Sequence, residues 1–108
     1  MIDHVRPAQL ADWLLRHEAG HPLVLDVREP WELACCALPD VVHVPMREVP
    51  GRVGELPRER DVVVVCHHGV RSLQVARYLV RLGFDTVWNL TGGMAAWADQ
   101  VDPAMSRY

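Results

Sequence analysis

The residues best suited to chemistry lie between Cys66 and Ser72, in the sequence Cys-His-His-Gly-Val-Arg-Ser. Four valines, Val62 to Val65, come directly before the cysteine, and such a run of β-branched residues predicts a strand buried on both faces. Apolar residues at helical spacing follow from Leu73 onward. Cys66 therefore stands between a buried strand and the start of a helix. Free backbone N–H groups and the helix dipole favour an anion there, and a thiolate is an anion.

The loop after Cys66 carries residues that suit it to surrounding a negative charge. Gly69 can adopt a positive φ and let the backbone wrap closely, so that inward-pointing N–H groups form a nest around the sulfur. Arg71 is permanently charged and can fork onto an incoming oxyanion. Ser72 suits the N-cap of the following helix. Such a loop favours the thiolate, the nucleophilic form of cysteine, whereas a purely structural thiol would leave the glycine and the arginine unexplained.

Four other polar residues are each open to two interpretations. His67 and His68 either tune the charge of the loop near neutral pH and orient a substrate, or are solvated loop residues. Asp26 and Arg28 lie at the end of the predicted strand Leu23–Val27. They either form structural hydrogen bonds there or make a rim contact to an anionic substrate.

Strands and helices alternate along the chain, which predicts an α/β fold: a small, mainly parallel sheet with helices on both faces. Ligands bind outside the carboxyl ends of the strands in such sheets, where Cys66 and Asp26 lie. Strands are predicted at Asp3–Val5, Leu23–Val27, Val41–Val44, Val62–Val65 and Thr86–Leu90. Helices are predicted from Pro7 (with Leu10, Trp13, Leu14 and His17 on one face and a stop at Gly20), at Pro30–Ala34, briefly within Met46–Leu56, after the Cys66 loop as far as Gly83, and at Met94–Ala98.

The composition narrows the functional classes. The 108 residues fit one domain, 1–108, with a loose tail over residues 102–108. A net charge of −3 gives no reason to expect nucleic acid as a partner, and no apolar run approaches the ~20 residues that a membrane span needs. The N-terminus lacks a signal-peptide core, which predicts a cytoplasmic protein. All 11 basic residues are arginine, which excludes lysine Schiff-base chemistry.

Three motifs together resemble the rhodanese-homology family of sulfurtransferases, in its single-domain form. They are Leu-Asp-Val-Arg-Glu-Pro-Trp-Glu at residues 25–32, the Cys66–Ser72 loop, and Asn-Leu-Thr-Gly-Gly-Met-Ala-Ala-Trp at residues 89–97. The resemblance covers nearly the whole chain. It implies a five-stranded parallel sheet flanked by helices, and Cys66 as the nucleophile that carries sulfur.

For a sulfurtransferase, the expected chemistry is attack of the Cys66 thiolate on the outer sulfur of an anionic donor such as thiosulfate or a persulfide. The resulting persulfide would lie in the loop formed by His67, His68, Gly69, Val70, Arg71 and Ser72. A thiol, cyanide or a partner protein would then take the sulfur, which predicts ping-pong kinetics without a cofactor.

Two alternatives come from different functional classes. One is a non-catalytic module that delivers or senses sulfur for a partner protein. The other is a cysteine phosphatase or arsenate reductase, since related folds run that chemistry. Those sites place five residues between cysteine and arginine, whereas here there are four, so the loop should be too tight for phosphate.

Cys35 and Cys36 are the remaining cysteines, and an odd count with two neighbours does not make a disulfide framework. Cys36-Ala37 also replaces the Gly-His pair usual in the family. Because the chain must return before strand Val41–Val44 begins, both cysteines are expected toward the opposite edge of the sheet from Cys66, as bystanders rather than resolving thiols. Cys66-His67-His68 also hints at metal, but no second Cys/His cluster lies nearby, so no metal site is predicted.

Overall fold

The computed structural model describes residues 2–16 and 20–108. All five strands run parallel, in the order β1-β5-β4-β2-β3. The elements are β1 Ile2–Val5, α1 Pro7–Leu15, β2 Leu23–Asp26, α2 Pro30–Cys35, β3 Val42–His43, α3 Val49–Arg52, β4 Val62–Val65, α4 Val70–Arg81, β5 Val87–Leu90 and α5 Gly93–Gln100, with single 3₁₀ turns at Met46–Glu48 and Val53–Glu55 on either side of α3.

The sheet separates two apolar layers, because side chains along a strand alternate between its faces. Leu25, Val62 and Val64 pack against α4 on one face. Val24 and Val63 pack against α1 and α5 on the other. Strand β4 is buried at all four positions, as predicted for a central strand covered on both sides. This double cover fixes the end of β4, and with it the position of Cys66.

The predicted fold class is confirmed, and most differences are of one or two residues at the ends of elements. Helix α1 begins at Pro7 as predicted and ends at Leu15, and His17 lies outside the described residues. The third strand is the largest exception among the strands, since it pairs only through Val42 and His43. Its partners are Leu25 and Asp26, at the carboxyl end of β2, so the chain has little distance to cover between these two strands.

Candidate active site

Cys66 directly follows β4 and is almost completely buried, with 1% of its surface exposed. The backbone N–H of Gly69 donates to its Sγ at 3.0 Å, and the Sγ lies 3.2 Å from the hydroxyl of Ser72. Gly69 has a φ of 95° and forms the N-cap of α4, so the turn needs a residue without a side chain. One backbone N–H of the predicted loop, that of Gly69, therefore points at the sulfur beside the N-terminus of α4.

The backbone of this loop is held from behind by the start of α5. The N–H of Met94 donates to the Cys66 carbonyl at 2.9 Å, and that of Ala95 to the His67 carbonyl at 3.0 Å. Gly93 makes this approach possible, because a Cβ there would lie only 2.4 Å from the Cys66 carbonyl oxygen. Both glycines of the Gly-Gly pair have positive φ. The motif at residues 89–97 therefore supports the Cys66–Ser72 loop through its backbone.

Ser72 does not cap the helix, in contrast to the sequence prediction. The helix begins two residues earlier, at Val70, so Ser72 lies in its first turn, where its side chain faces inward and is fully buried. Its hydroxyl donates to Oδ1 of Asn89, and Nδ2 of Asn89 donates to the Gly69 carbonyl at 3.2 Å. Asn89 thus connects the serine beside the sulfur to the turn around it. The sequence could have indicated this role, because Asn89 is a polar residue inside the buried strand β5.

Arg71 points at Glu32, with its two terminal nitrogens each 2.7 Å from one carboxylate oxygen. The hydrogen bonds from Arg71 lower the pKa of Glu32 to about 2, and the same contact raises the pKa of Arg71. About a third of the Arg71 side chain is exposed, whereas Glu32 is buried. The arginine is therefore a fixed cation at the mouth of the loop. Sequence analysis missed Glu32, which lies 39 residues away.

Asp26 and Arg28 form an ion pair whose side chains are both fully buried. Arg28 donates to Asp26 through Nε at 2.9 Å and Nη2 at 2.7 Å, and Nη2 also reaches the Cys36 carbonyl at 2.8 Å. Of the two interpretations, the structural hydrogen bonds are the ones present. The rim contact does not fit, because neither side chain reaches the surface.

The two histidines differ in their surroundings. His68 is exposed, whereas His67 is half-buried between the rings of His68 and Tyr108, with ring centroids 4.0 Å away on each side. Burial lowers the pKa of His67, and the neighbouring His68 lowers it further. His67 is therefore neutral near pH 7. Val70, the remaining loop residue, is exposed at the rim of the site.

A family model for the rhodanese-like domain matches residues 9–100 of this chain. The chain belongs to the rhodanese-like family. A sulfurtransferase from Allochromatium vinosum is 45% identical over 76 residues, which cover 70% of this chain and 71% of the relative. The putative sulfurtransferase YtwF of Bacillus subtilis is 40% identical over 87 residues, covering 80% and 84%. The crystal structure of a rhodanese-related protein from Thermoplasma volcanium superposes with a TM-score of 0.82 at 27% identity, covering 92% and 93%.

These relatives confirm the family predicted from the three motifs and support sulfur transfer as its general chemistry. Two other findings concern the part of the rhodanese-like chain that the structure describes. It contains no cluster of three or more His, Cys, Asp or Glu side chains arranged to hold a metal ion. None of its helices combines the length and the apolar character that a membrane crossing requires.

The last seven residues of this rhodanese-like chain do not form the loose tail that their sequence predicts. They fold back onto the end of α5, where Arg107 donates to the Ala98 carbonyl at 3.1 Å and pairs with Asp99. Tyr108 reaches the active-site edge, where its hydroxyl lies between Arg28 and Glu32. The contact holds the segment in place, because the hydroxyl supplies hydrogen-bond partners to two buried charged side chains, Arg28 and Glu32.

Cys36 lies on the same side of the sheet edge as the Cys66 loop, so the predicted opposite position is wrong for this residue. It lines a cavity of about 170 Å³ together with His67 and His68. The reason is the short return between β2 and β3: helix α2 has only six residues, and β3 pairs with the last residues of β2. Cys35, Cys36 and Cys66 are all free thiols.

Proposed function

We propose that the protein is a sulfurtransferase that carries sulfane sulfur on Cys66 as a persulfide. The observation that carries the proposal is the surroundings of the Sγ: a backbone N–H of Gly69 at 3.0 Å and the Ser72 hydroxyl at 3.2 Å, at the N-terminus of a twelve-residue helix. The Gly69 N–H donates to the sulfur and, together with the helix dipole, stabilises a negative charge on it. Ser72 Oγ lies beside the sulfur but donates its own proton to Asn89, so the backbone N–H is the donor for the thiolate before transfer and for the persulfide after it.

Two half-reactions account for the transfer. In the first, the Cys66 thiolate attacks the outer sulfur of thiosulfate; the new S–S bond forms as the S–S bond of the donor breaks, and sulfite leaves with the electron pair. In the second, a thiol or cyanide attacks the outer sulfur of the persulfide, and the thiolate of Cys66 leaves. The exposed part of Arg71 attracts the anionic donor to the mouth of the loop, and no cofactor is needed.

Intact mass spectrometry after incubation with thiosulfate tests the proposal. The wild type should gain one sulfur atom, and Cys66→Ser should gain none, because a serine hydroxyl is a far weaker nucleophile at neutral pH. Cyanide or a small thiol should then remove the added sulfur and restore the original mass. A wild type that stays unmodified, or a Cys66→Ser variant that gains sulfur, would contradict the assignment.

The alternatives give other results in the same assays. A delivery module for a protein acceptor would form the persulfide but keep it in the presence of cyanide and small thiols. A phosphatase would hydrolyse an aryl phosphate. We expect no hydrolysis, because four residues separate Cys66 from Arg71 and the arginine is held by Glu32 rather than turned over the sulfur.

A further inference from the structure

The C-terminal segment, residues 102–108, lies beyond the stretch that the family model matches, which ends at residue 100. It nevertheless makes contact with all three motifs. The N–H groups of Val101 and Asp102 both donate to the Trp97 carbonyl, which turns the chain at the end of α5. Arg107 then donates to the Ala98 carbonyl of the same helix, and Tyr108 donates to Glu32 at the active-site edge.

The hydroxyl of Tyr108 joins two charged side chains. It accepts a hydrogen bond from Nη1 of Arg28 at 3.0 Å and donates one to Oε2 of Glu32 at 2.8 Å. Burial raises the pKa of Tyr108 to about 12, so the hydroxyl keeps its proton and remains a donor across the working pH range. Its ring stacks on His67, with an interplanar angle of 22°.

The Glu32 carboxylate is the link from Tyr108 to the catalytic loop. Its Oε1 accepts from the Glu29 N–H at 2.9 Å and from Arg71, and its Oε2 accepts from Arg71 and from Tyr108. Each oxygen thus has one partner besides the arginine. These two partners fix the plane of the carboxylate, and a bidentate pair transmits that plane to the guanidinium. Without the tyrosine hydroxyl, Oε2 would be held by Arg71 alone.

We propose that Tyr108 is a positioning residue of the sulfur-transfer site: through Glu32 it orients Arg71 for the anionic donor, and through its ring it holds His67 beside Cys66. The inference rests on the proposed function, because it assigns a role within that reaction. It adds to the site a residue that lies outside the three sequence motifs and beyond residues 9–100, which the family model matches. It also gives a role to the contact between residues 102–108 and the carboxyl edge of the sheet.

The test compares Tyr108→Phe, which removes only the hydroxyl, with Tyr78→Phe as the matched control. Tyr78 is the other tyrosine of the chain; it lies on α4 and packs against the core. In ping-pong kinetics, kcat/KM for each substrate reports its own half-reaction. Tyr108→Phe should lower kcat/KM for thiosulfate roughly three- to tenfold, less than the loss of a direct hydrogen bond to a charged group because the effect on Arg71 is indirect, and leave kcat/KM for cyanide within about twofold. Tyr78→Phe should change neither.

The same substitution made in an Arg71→Lys variant tests whether Arg71 mediates the effect of Tyr108. Arg71→Lys removes the fork that Glu32 orients, so adding Tyr108→Phe to it should cause little further loss in the donor half-reaction. Additive losses would overturn the proposed route. Equal losses in both half-reactions, or a Tyr108→Phe variant that matches Tyr78→Phe, would overturn the positioning role itself.

Two NMR titrations give readouts that do not depend on turnover. The hydrogen bond from Tyr108 helps to lower the pKa of Glu32, so Tyr108→Phe should raise that pKa above its value of about 2. Tyr108→Ala should also raise the pKa of His67, because it uncovers the ring, whereas Tyr108→Phe should not. Unchanged titrations would contradict the inference. If the titrations shift but the wild type forms no persulfide, the proposed function fails while the contacts of Tyr108 stand.

Discussion

Two strand-to-helix turns lie side by side at the carboxyl edge of the sheet, and they deal with charge in opposite ways. After β2, the turn contains no glycine, and its charged side chains, Asp26, Arg28 and Glu32, are neutralised by one another and by residues from elsewhere. After β4, the turn is built around Gly69, and the group that points at the Cys66 sulfur is a backbone N–H. The first turn is closed by side-chain pairs, whereas the second keeps backbone donors for an anion.

A charged residue near a sulfur site is thus not by itself part of the chemistry. Arg28 and Arg71 both follow strands at the same edge, yet the first is fully buried and the second is about one-third exposed. Only an exposed guanidinium can meet a donor from solution. The burial of Arg28 favours a structural role, and the exposure of Arg71 leaves it free for the role toward the donor that we propose. Variants in each turn separately test this difference.

The largest expected effect is on the turn after β2. Arg28→Met leaves the Asp26 carboxylate buried without a charged partner, which should lower the free energy of unfolding by about 3–5 kcal/mol. Denaturant unfolding measures this loss. The double variant Asp26→Leu, Arg28→Met removes both charges and should recover part of the lost stability. A double variant less stable than Arg28→Met would mean that the pair is not what the turn depends on.

Acid should weaken the link between the two turns. The pKa of Glu32 is about 2 in the folded protein and 4.5 for a free glutamate, as in the unfolded chain, so its contribution is fully present above about pH 4.5 and is lost as the pH falls toward 2. The loss should be on the order of 3 kcal/mol. Unfolding free energies measured across this range should fall less steeply for Glu32→Gln than for the exposed control Glu59→Gln. Equal slopes would show that Glu32 does not carry the acid sensitivity.

Gly93→Ala should damage the turn after β4 without touching any charged group. Its Cβ would lie 2.4 Å from the Cys66 carbonyl oxygen and 2.5 Å from that of His67, and the residue has a φ of 60°. We expect a loss of about 2 kcal/mol in unfolding free energy and a clear fall in persulfide formation. Gly51→Ala is the control, because nothing lies within 4 Å of its Cβ position. Similar behaviour of the two variants would mean that the loop is more adaptable than its contacts indicate.

A smaller effect is expected from Arg71→Lys, which keeps the charge but not the fork onto Glu32. The value of kcat/KM for thiosulfate should fall roughly tenfold, since a lysine cannot make the bidentate contact that holds the cation in place. Arg77→Lys on the exposed side of the same helix should leave it unchanged. A loss that is equally large for cyanide would mean that Arg71 supports the loop rather than the donor.

The smallest effect should come from the two adjacent cysteines. Among the described residues, neither Cys35 nor Cys36 hydrogen-bonds to Cys66 or to its loop, although Cys36 lines the neighbouring cavity. The Cys35→Ser, Cys36→Ser double variant should therefore turn over thiosulfate within about twofold of the wild type under non-reducing conditions. A Cys36–Cys66 disulfide in non-reducing peptide maps would contradict this prediction and make Cys36 a resolving thiol.

The fold and the central loop of the candidate site could be predicted from the sequence, because both depend on residues that are neighbours in the chain. Strand β2 begins with a local apolar run, and β4 consists of four valines that need cover on both faces. The turn around the sulfur is marked just as locally, since Cys66 follows the strand at once and Gly69 supplies the positive φ three residues later. The valine run and the spacing from Cys66 to Gly69 are local features, so they can be recognised without knowing how the rest of the chain packs.

The tertiary structure alone decided which polar groups meet. Glu32 reaches Arg71 across 39 residues, and Tyr108 reaches Glu32 across 76. Ser72, which was predicted to cap a helix, instead donates a hydrogen bond to Asn89, which lies 17 residues further along the chain in β5. A side chain near a strand end has several candidate partners of suitable charge, and the choice among them depends on how the helices pack and how the chain returns between strands. No local pattern encodes that packing, so the partners of the site became visible only in the folded protein.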